Sequence, residues 1–515
     1  MTFALTLILV IFYGSFFTHR ITLVTSDLGR HLENGKLFFQ DWRIIGTNFY
    51  SYTEPEFPVV NHHWGSGALL YAIWKLSGFF GVQFFVIALN IAAFLISFFL
   101  ARKHVGAGLA AFLAVLIIPI LGTRTELRPE SMSYLFMMLF FLTLVRFRDN
   151  PSRLYRGLFL LPLLELLWVN SHIYFFLGPL FVLAFLFEAM IVGGLRGNVK
   201  KLAIIYLATS AATLINPFGI RGALAPFTIL RQYGYRLVEN QSVWFLEKLM
   251  TDASFGIYKF ALVLLCASFI IRMIWQLHNK RSEIGEPFIA LLCLGIGVSV
   301  MACLQIRNFA LFGFMALPIL AENIGAIFRV SLEKYKQHSA IAAFVFLLLV
   351  FLITISGALS SIFPYWQEFG LGLESGDAAS IEFFQREHLH GPLFNNYDIG
   401  GYLIFYLFPR ERVFVDNRPE AYSVDFFEKM YIPMQESAEK WQENLERFGF
   451  NVIFFSYHDM TPWAQKFLVD RVNDLAWVPV FADKRVIIFL RNIPENKSVI
   501  DQFAIPKERF SARSN

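Results

Sequence analysis

Residues 80–101 read FGVQFFVIALNIAAFLISFFLA, a run with no Asp, Glu, Lys or Arg, closed at once by Arg102-Lys103. A hydrocarbon core of about 30 Å needs about 20 apolar residues in helical form, so this stretch alone predicts a membrane-crossing helix. Working outward, comparable runs lie near 2–18, 107–122, 131–146, 157–171, 173–193, 202–216, 255–276, 287–304, 309–328 and 339–362. The expected fold is therefore a polytopic α-helical membrane protein of about eleven transmembrane helices, followed by a C-terminal soluble α/β domain. Composition agrees: 56% of the 515 residues are hydrophobic and 16% charged, with 59 Phe, whereas soluble domains carry about 25% charged residues. The net charge of +5 is scattered among loops and excludes a nucleic-acid surface. Cys266, Cys293 and Cys303 all sit in apolar runs and are expected as small buried hydrophobes, not as a disulfide framework or zinc site. Met1 to Phe17 has no basic leader and no small-residue cleavage site, which predicts a retained first helix.

Charge sets the orientation. With the N-terminus in the cytoplasm, the cytoplasmic connections hold fourteen basic residues: Arg102, Lys103, Arg146, Arg148, Arg153, Arg156, Arg196, Lys200, Lys201, Lys280, Arg281, Arg329, Lys334 and Lys336. The short outer connections hold three, Arg124, Arg128 and Arg307. Basic residues favour the cytoplasmic side. The loops 19–79 and 217–254 and the C-terminal region then lie outside. Trp64 to Leu76 is apolar but short and carries Lys75, so a helix along the membrane surface is expected there. The chain divides by sequence into a transmembrane domain over 1–363 with the large outer loop 19–79, an extracytoplasmic domain over 364–500, and a polar tail over 501–515. The localisation that follows is a multi-pass protein of a bacterial inner or plasma membrane.

The unusual polar residues gather on that outer face: Asp27, Arg30 and His31; Glu126, Arg128 and Glu130; Asn170, Ser171 and His172; Asn216; Gln305, Arg307 and Asn308. Loops are polar in any case, but arginines in very short outer connections run against the charge rule, and the cluster suggests a shared aqueous cavity. In Ser26-Asp27-Leu28-Gly29-Arg30-His31-Leu32-Glu33-Asn34, the residues Asp27, Arg30, His31 and Asn34 recur at helical spacing and would share a face. A carboxylate there can accept a proton and a guanidinium can clamp phosphate oxygens. The competing reading is that Ser26 and Asp27 only start a helix. Asn61-His62-His63-Trp64 reads as an interfacial Trp with wet histidines rather than a metal site.

These features resemble the GT-C glycosyltransferases, multi-spanning enzymes that use polyprenyl-phosphate-linked sugars and include the protein O-mannosyltransferases and the lipid A aminoarabinose transferases. The resemblance rests on the acid in the first outer loop, Asp27, and on the return of that loop near His63-Trp64. Glu126-Leu127-Arg128-Pro129 and Arg307-Asn308 in short outer turns, the phrases Leu167-Trp168-Val169-Asn170-Ser171-His172 and Asn216-Pro217-Phe218-Gly219, and the soluble outer domain complete it. It implies that Asp27 is the general base. Many members carry two adjacent acids there, whereas this chain has Asp27-Leu28. It also implies a polyprenyl-phosphate-linked sugar donor, a lipid, glycan or protein acceptor, and contact with membrane lipids. Arg128 and Arg307, with Arg30 and His31 nearby, would cradle the phosphate, and His172 and Glu126 would line the cavity. A divalent metal serves some relatives; Asp27, Glu126 and Glu130 are the nearest acids, but no spacing demands one, and no metal ligand is assigned.

After residue 364 the apolar runs shorten. Strands are expected at Pro392–Asn396, Arg412–Asp416 and Asn451–Ser456, a helix at Gly401–Phe408, helical stretches over 424–448, and a hairpin over Trp477–Arg491 turning at Asp483-Lys484. The densest motifs, Asn395 to Tyr402 and Val415 to Tyr422, follow expected strands, where α/β domains place ligand sites. Asn396, Asp416 and Arg418 are the candidates; the alternative for the last two is an internal ion pair that orders the turn. The function expected is transfer of a sugar from a polyprenyl-phosphate carrier at the outer face. The rivals are a transporter or flippase of lipid-linked saccharide, for which no internal repeat is visible, and a non-catalytic envelope assembly protein.

Overall fold

The computed structural model describes residues 1–151, 155–229, 233–235, 237–278, 288–363 and 369–510. Arg153, Lys280, Arg281 and the expected boundary at 364 lie outside them. Packing, as distinct from chain order, gathers the chain into two units: 1–20, 80–223 and 237–371 in the first, 21–79, 224–236 and 372–515 in the second.

The first unit is helical. Among the described residues, six helices are long and apolar enough to cross a membrane: Trp64–Leu121, Glu130–Asp149, Ile173–Ile191, Ala253–His278, Ile306–Phe328 and Lys334–Ile355. Thr2–Ser15 and Ile289–Leu304 are shorter apolar helices. Trp64–Leu121 holds two of the expected spans, because Gly78 and Gly106 adopt φ of 64° and 78°. Only glycine takes up that conformation without strain, and each one bends the run. The last two long helices join through a kink at Phe328. The expected spans at 157–171 and 202–216 form the helices Leu160–Val169 and Val199–Ala212. These rise about 15 and 21 Å, less than a full hydrocarbon crossing. The chain is thus an integral, polytopic helical protein.

Inside this unit, polar side chains bond across helices, as they must where water is absent. Asn90 donates to Ser131 Oγ at 3.0 Å and accepts from Tyr13 at 3.2 Å. Ser97 donates to the Phe314 carbonyl at 2.8 Å. Arg148 pairs with Glu322 at 2.9 Å, and Arg272 bonds Asn323 at 2.8 Å. The cysteines depart from expectation. Cys266 and Cys293 lie on exposed helix faces and Cys303 is half-buried, because an apolar helix in a membrane bundle turns hydrophobic residues outward as well as inward.

The second unit is built on a four-stranded sheet. Its strands are β1 (Leu393–Asn395), β2 (Val452–Ser456), β3 (Trp477–Ala482) and β4 (Val486–Arg491), in the order β1-β2-β4-β3. Strand β1 runs parallel to β2, and the other pairs are antiparallel. The hairpin turns where expected, with the Asp483 side chain accepting from the Arg485 and Val486 N–H groups at 2.8 Å each. Helix Ala438–Phe448 starts at Ser437, whose side chain caps it, and stops at Gly449 with φ 66°. It buries Trp441 and Leu445.

Arg412–Asp416 does not join the sheet. The Asn395 side chain takes the place of a ladder there, accepting from the Phe414 N–H at 2.9 Å and donating to the Val415 carbonyl at 2.7 Å. The other edge of the segment bonds the first outer loop: Val413 N–H to the Tyr50 carbonyl and Tyr52 N–H to the Val413 carbonyl, both at 3.2 Å. Ser423 adds two bonds to Glu54 at 2.8 Å each. These bonds are why residues 21–79 pack with the C-terminal residues.

At Ile21 the loop enters this unit beside Leu373, and Asp377 accepts from the Leu23 N–H at 3.1 Å. Burial pushes the Asp377 carboxyl up to about 6 from an ordinary 3.8, against the pull of that N–H group. A folded-state value above the unfolded one means a contribution present below pH 4 or so and lost as pH rises through about 6. The loss is at most about 3 kcal/mol. Asp377→Asn should remove this part of the pH dependence, and identical wild-type and variant melting profiles between pH 4 and 6.5 or so would exclude it.

Candidate functional site

The polar residues form two clusters, one in each unit. In the first unit, the connection between Leu121 and Glu130 carries Arg124, Glu126 and Arg128, and the short helical turn Val238–Asn240 carries Glu239. Arg124 grips Glu130 through two bonds of 2.7 and 3.0 Å and reaches Glu239 at 2.8 Å. Arg128 reaches the same Glu239 oxygen at 2.9 Å and also pairs with Glu126. Arg307, on the turn before the helix that follows, lies 3.7 Å from the other Glu239 oxygen and donates to Asn240 at 3.1 Å. Three guanidinium groups thus converge on one carboxylate. Burial pushes the Glu239 carboxyl up, but Arg128, Arg124 and Arg307 together outweigh it and hold it well below the usual carboxylate range. Sequence reading singled out Arg128, Arg307 and Glu126 but missed Glu239, the residue that joins them.

His172 is buried in the same unit. Its Nδ1 lies 2.9 Å from Ser133 Oγ, which accepts from the Trp168 indole at 2.7 Å. The ring also caps the turn Ile173–Phe176 by accepting from the Tyr174 N–H. Its contacts fix the fold of the turn between two helices.

In the second unit, Asp27 occupies the start of helix Leu28–Asp41, yet its side chain makes no capping bond. Ser26 does that work instead, accepting from the Leu28 N–H at 3.1 Å. Asp27 remains about one-fifth exposed and lies 3.7 Å from Arg30. Arg30 is buried and donates through Nε to Asn417 Oδ1 at 3.3 Å. The helical spacing therefore does bring Asp27 and Arg30 together. Asn34 turns to Tyr50, accepting at 2.7 Å, and the buried His31 ring stands edge-on to His63 at 5.2 Å.

The C-terminal candidates are locked into the domain. Asn396 accepts from the Ser456 N–H at 2.8 Å and donates to Asp459 at 3.1 Å, tying the ends of β1 and β2. Arg418 holds Asp416 by two bonds of 2.8 and 2.6 Å and donates to Asn48 at 3.1 Å. This is the internal ion pair that orders the turn. Beside it, Glu420 is a carboxyl group the sequence reading passed over. Burial pushes it above its ordinary range against the pull of Arg30 and Arg418. Among the described residues, no group of three or more His, Cys, Asp or Glu side chains gathers as a metal site. Glu126, Glu130 and Asp27 each lie beside an arginine.

No protein-family model matches the chain, and no curated protein matches it in sequence. Solved structures do match. The oligosaccharyltransferase AglB of Archaeoglobus fulgidus, in complex with an inhibitory peptide and a dolichol-phosphate, superposes with a TM-score of 0.60 at 13% identity, over 96% of this chain and 75% of that one. Its apo form gives 0.61 at 12% identity, over 93% and 73%. ArnT of Cupriavidus metallidurans bound to undecaprenyl phosphate gives 0.53 at 14% identity, over 98% of both chains. The chain shares the fold of these two transferases. The likeness runs nearly end to end, the C-terminal domain included. A further crystal form of the archaeal enzyme holds zinc and sulfate.

Proposed function

We propose that this chain is a membrane glycosyltransferase that moves a sugar from a polyprenyl-phosphate-linked donor to a lipid, glycan or protein acceptor on the extracytoplasmic face. The observation that carries the reading is the convergence of Arg124, Arg128 and Arg307 on one carboxylate. Such a set, on connections the orientation rule assigns to the outer side, is suited to hold the oxygens of a departing phosphate. In this reaction the acceptor hydroxyl or amine attacks the anomeric carbon, its proton passes to Asp27, and the bond from that carbon to the phosphate oxygen breaks. The polyprenyl phosphate leaves with the bonding electrons, a charge of the kind that guanidinium groups meet. A mostly apolar cavity of about 650 Å³, lined by Ile11, Gly14, Ser15, Phe351 and Ile355, offers room for part of an isoprenoid chain. The neighbours support the class of donor, since one was solved with dolichol-phosphate and the other with undecaprenyl phosphate. The reading places the protein in a bacterial inner or plasma membrane, N-terminus inside, with the domain 364–500 outside.

The test is transfer from a panel of radiolabelled polyprenyl-phosphate sugars by the purified chain. Transfer from at least one donor is expected. Absence of transfer from every donor, with lipid-linked sugar still bound, would replace the enzyme by a carrier or an assembly protein.

A further inference from the structure

The start of the helix Gly400–Leu407 is packed backbone to backbone against both the start of the Asp27 helix and the turn Val415–Arg418. A Cβ added at Gly29 would lie 2.7 Å from the Gly401 carbonyl oxygen, and one at Gly401 would lie 3.0 Å from the Ser26 carbonyl oxygen and 3.1 Å from Asn417 Nδ2. A Cβ at Gly400 would stand 2.4 Å from Asp416 Cα. The first dense motif therefore presses on the first turn of the Asp27 helix and the second presses on Gly400 behind it, so any side chain at these glycines would force the elements apart. The turn itself is rigid. Its backbone is held by Asp416, which accepts from the Arg418 N–H at 3.1 Å, while the Asp416 N–H donates to Tyr422 at 2.8 Å. Asn417 projects from this fixed turn and accepts from Arg30, whose guanidinium is the group beside Asp27.

We propose that Asn417 is a positioning residue for Asp27, acting through Arg30, so that the outer domain supplies part of the catalytic centre. The proposal rests on the transferase reading with Asp27 at the chemistry. A long arginine side chain loses rotamer freedom when its guanidinium is engaged by more than one partner. Here Asn417 binds Nε and Asp27 lies by Nη2, on the same edge of the guanidinium. Releasing Nε lets the guanidinium drift, and displacement of the reacting group by about 1 Å can cost up to a hundredfold in rate.

The test compares wild type, Asn417→Ala, Asn417→Asp, Arg30→Ala and the double variant Arg30→Ala/Asn417→Ala, each as full chain, by transfer kinetics and thermal midpoint. Asn417→Ala should lower kcat about tenfold with KM and midpoint unchanged. Asn417→Asp, which keeps an oxygen acceptor for Arg30, should recover most of the rate. In the Arg30→Ala background, Asn417→Ala should cost nothing further, as coupled residues are not additive. An unchanged kcat in Asn417→Ala, an equal loss with and without Arg30, or a loss that tracks a fallen midpoint would overturn the proposal while leaving the transferase intact. A wild type that transfers no sugar would overturn both.

Discussion

Asp27→Asn should lower sugar transfer by about 10²–10⁴-fold, the usual contribution of a positioned general base. The substitution keeps the shape of the side chain and one oxygen, and removes the capacity to take a proton. Its structural cost is small. Asp27 makes no capping bond, Ser26 having that role, and its 3.7 Å approach to Arg30 is longer than a tight hydrogen bond. Ion pairs of that kind contribute about 1 kcal/mol or less. The midpoint of thermal unfolding should therefore stay near wild type while kcat collapses and the donor KM changes little. That combination separates a chemical role from a folding role. If transfer survives, the base is another carboxyl group, and Glu126, half exposed beside Arg128, is the next to replace.

How far the sequence could lead depends on the range of the interaction. Membrane crossings are written in single runs of residues, so composition and loop charge reveal the helical bundle. Gly106, where one long helix bends, falls in the gap between expected spans, and Phe328, at the other kink, is the last residue of one. Local signals also serve in the outer domain: the hairpin at Asp483, strand β2 and the helix Gly400–Leu407 lie where residue pattern puts them. Asp27 and Arg30 meet because they are one helical turn apart. What failed is non-local. Arg412–Asp416 has the pattern of a strand, but the Asn395 side chain and the first outer loop occupy its backbone groups. Asn417 meets Arg30 across 387 residues, and Glu239 meets Arg124 across 115. No periodicity in one sequence announces such pairs. The one available signal for Glu239 was its being an acid in an outer loop of a chain whose outer turns carry unexplained arginines.

Glu239→Gln should produce the largest loss of stability of any single outer-face substitution, on the order of 3–5 kcal/mol, because it leaves largely buried arginines without their shared counter-charge. Arg124 keeps Glu130, Arg128 keeps Glu126, and Arg307 keeps the neutral Asn240 oxygen. The loss should be read as a lowered midpoint in detergent. Its rescue carries the sharper information. With the negative charge gone, the three guanidinium groups lose the anion they share, and an anion that binds the folded form raises stability by mass action. Inorganic phosphate should therefore raise the midpoint of Glu239→Gln by several times the shift it gives wild type, while chloride at equal ionic strength should not. On the proposed reading, a donor phosphate entering the native cluster would compete with Glu239 for the same arginines. A variant as stable as wild type would show that the cluster contributes little to the fold. A destabilised variant deaf to phosphate would show that these arginines serve the fold alone, and the phosphate cradle would then have to be sought elsewhere on the outer face.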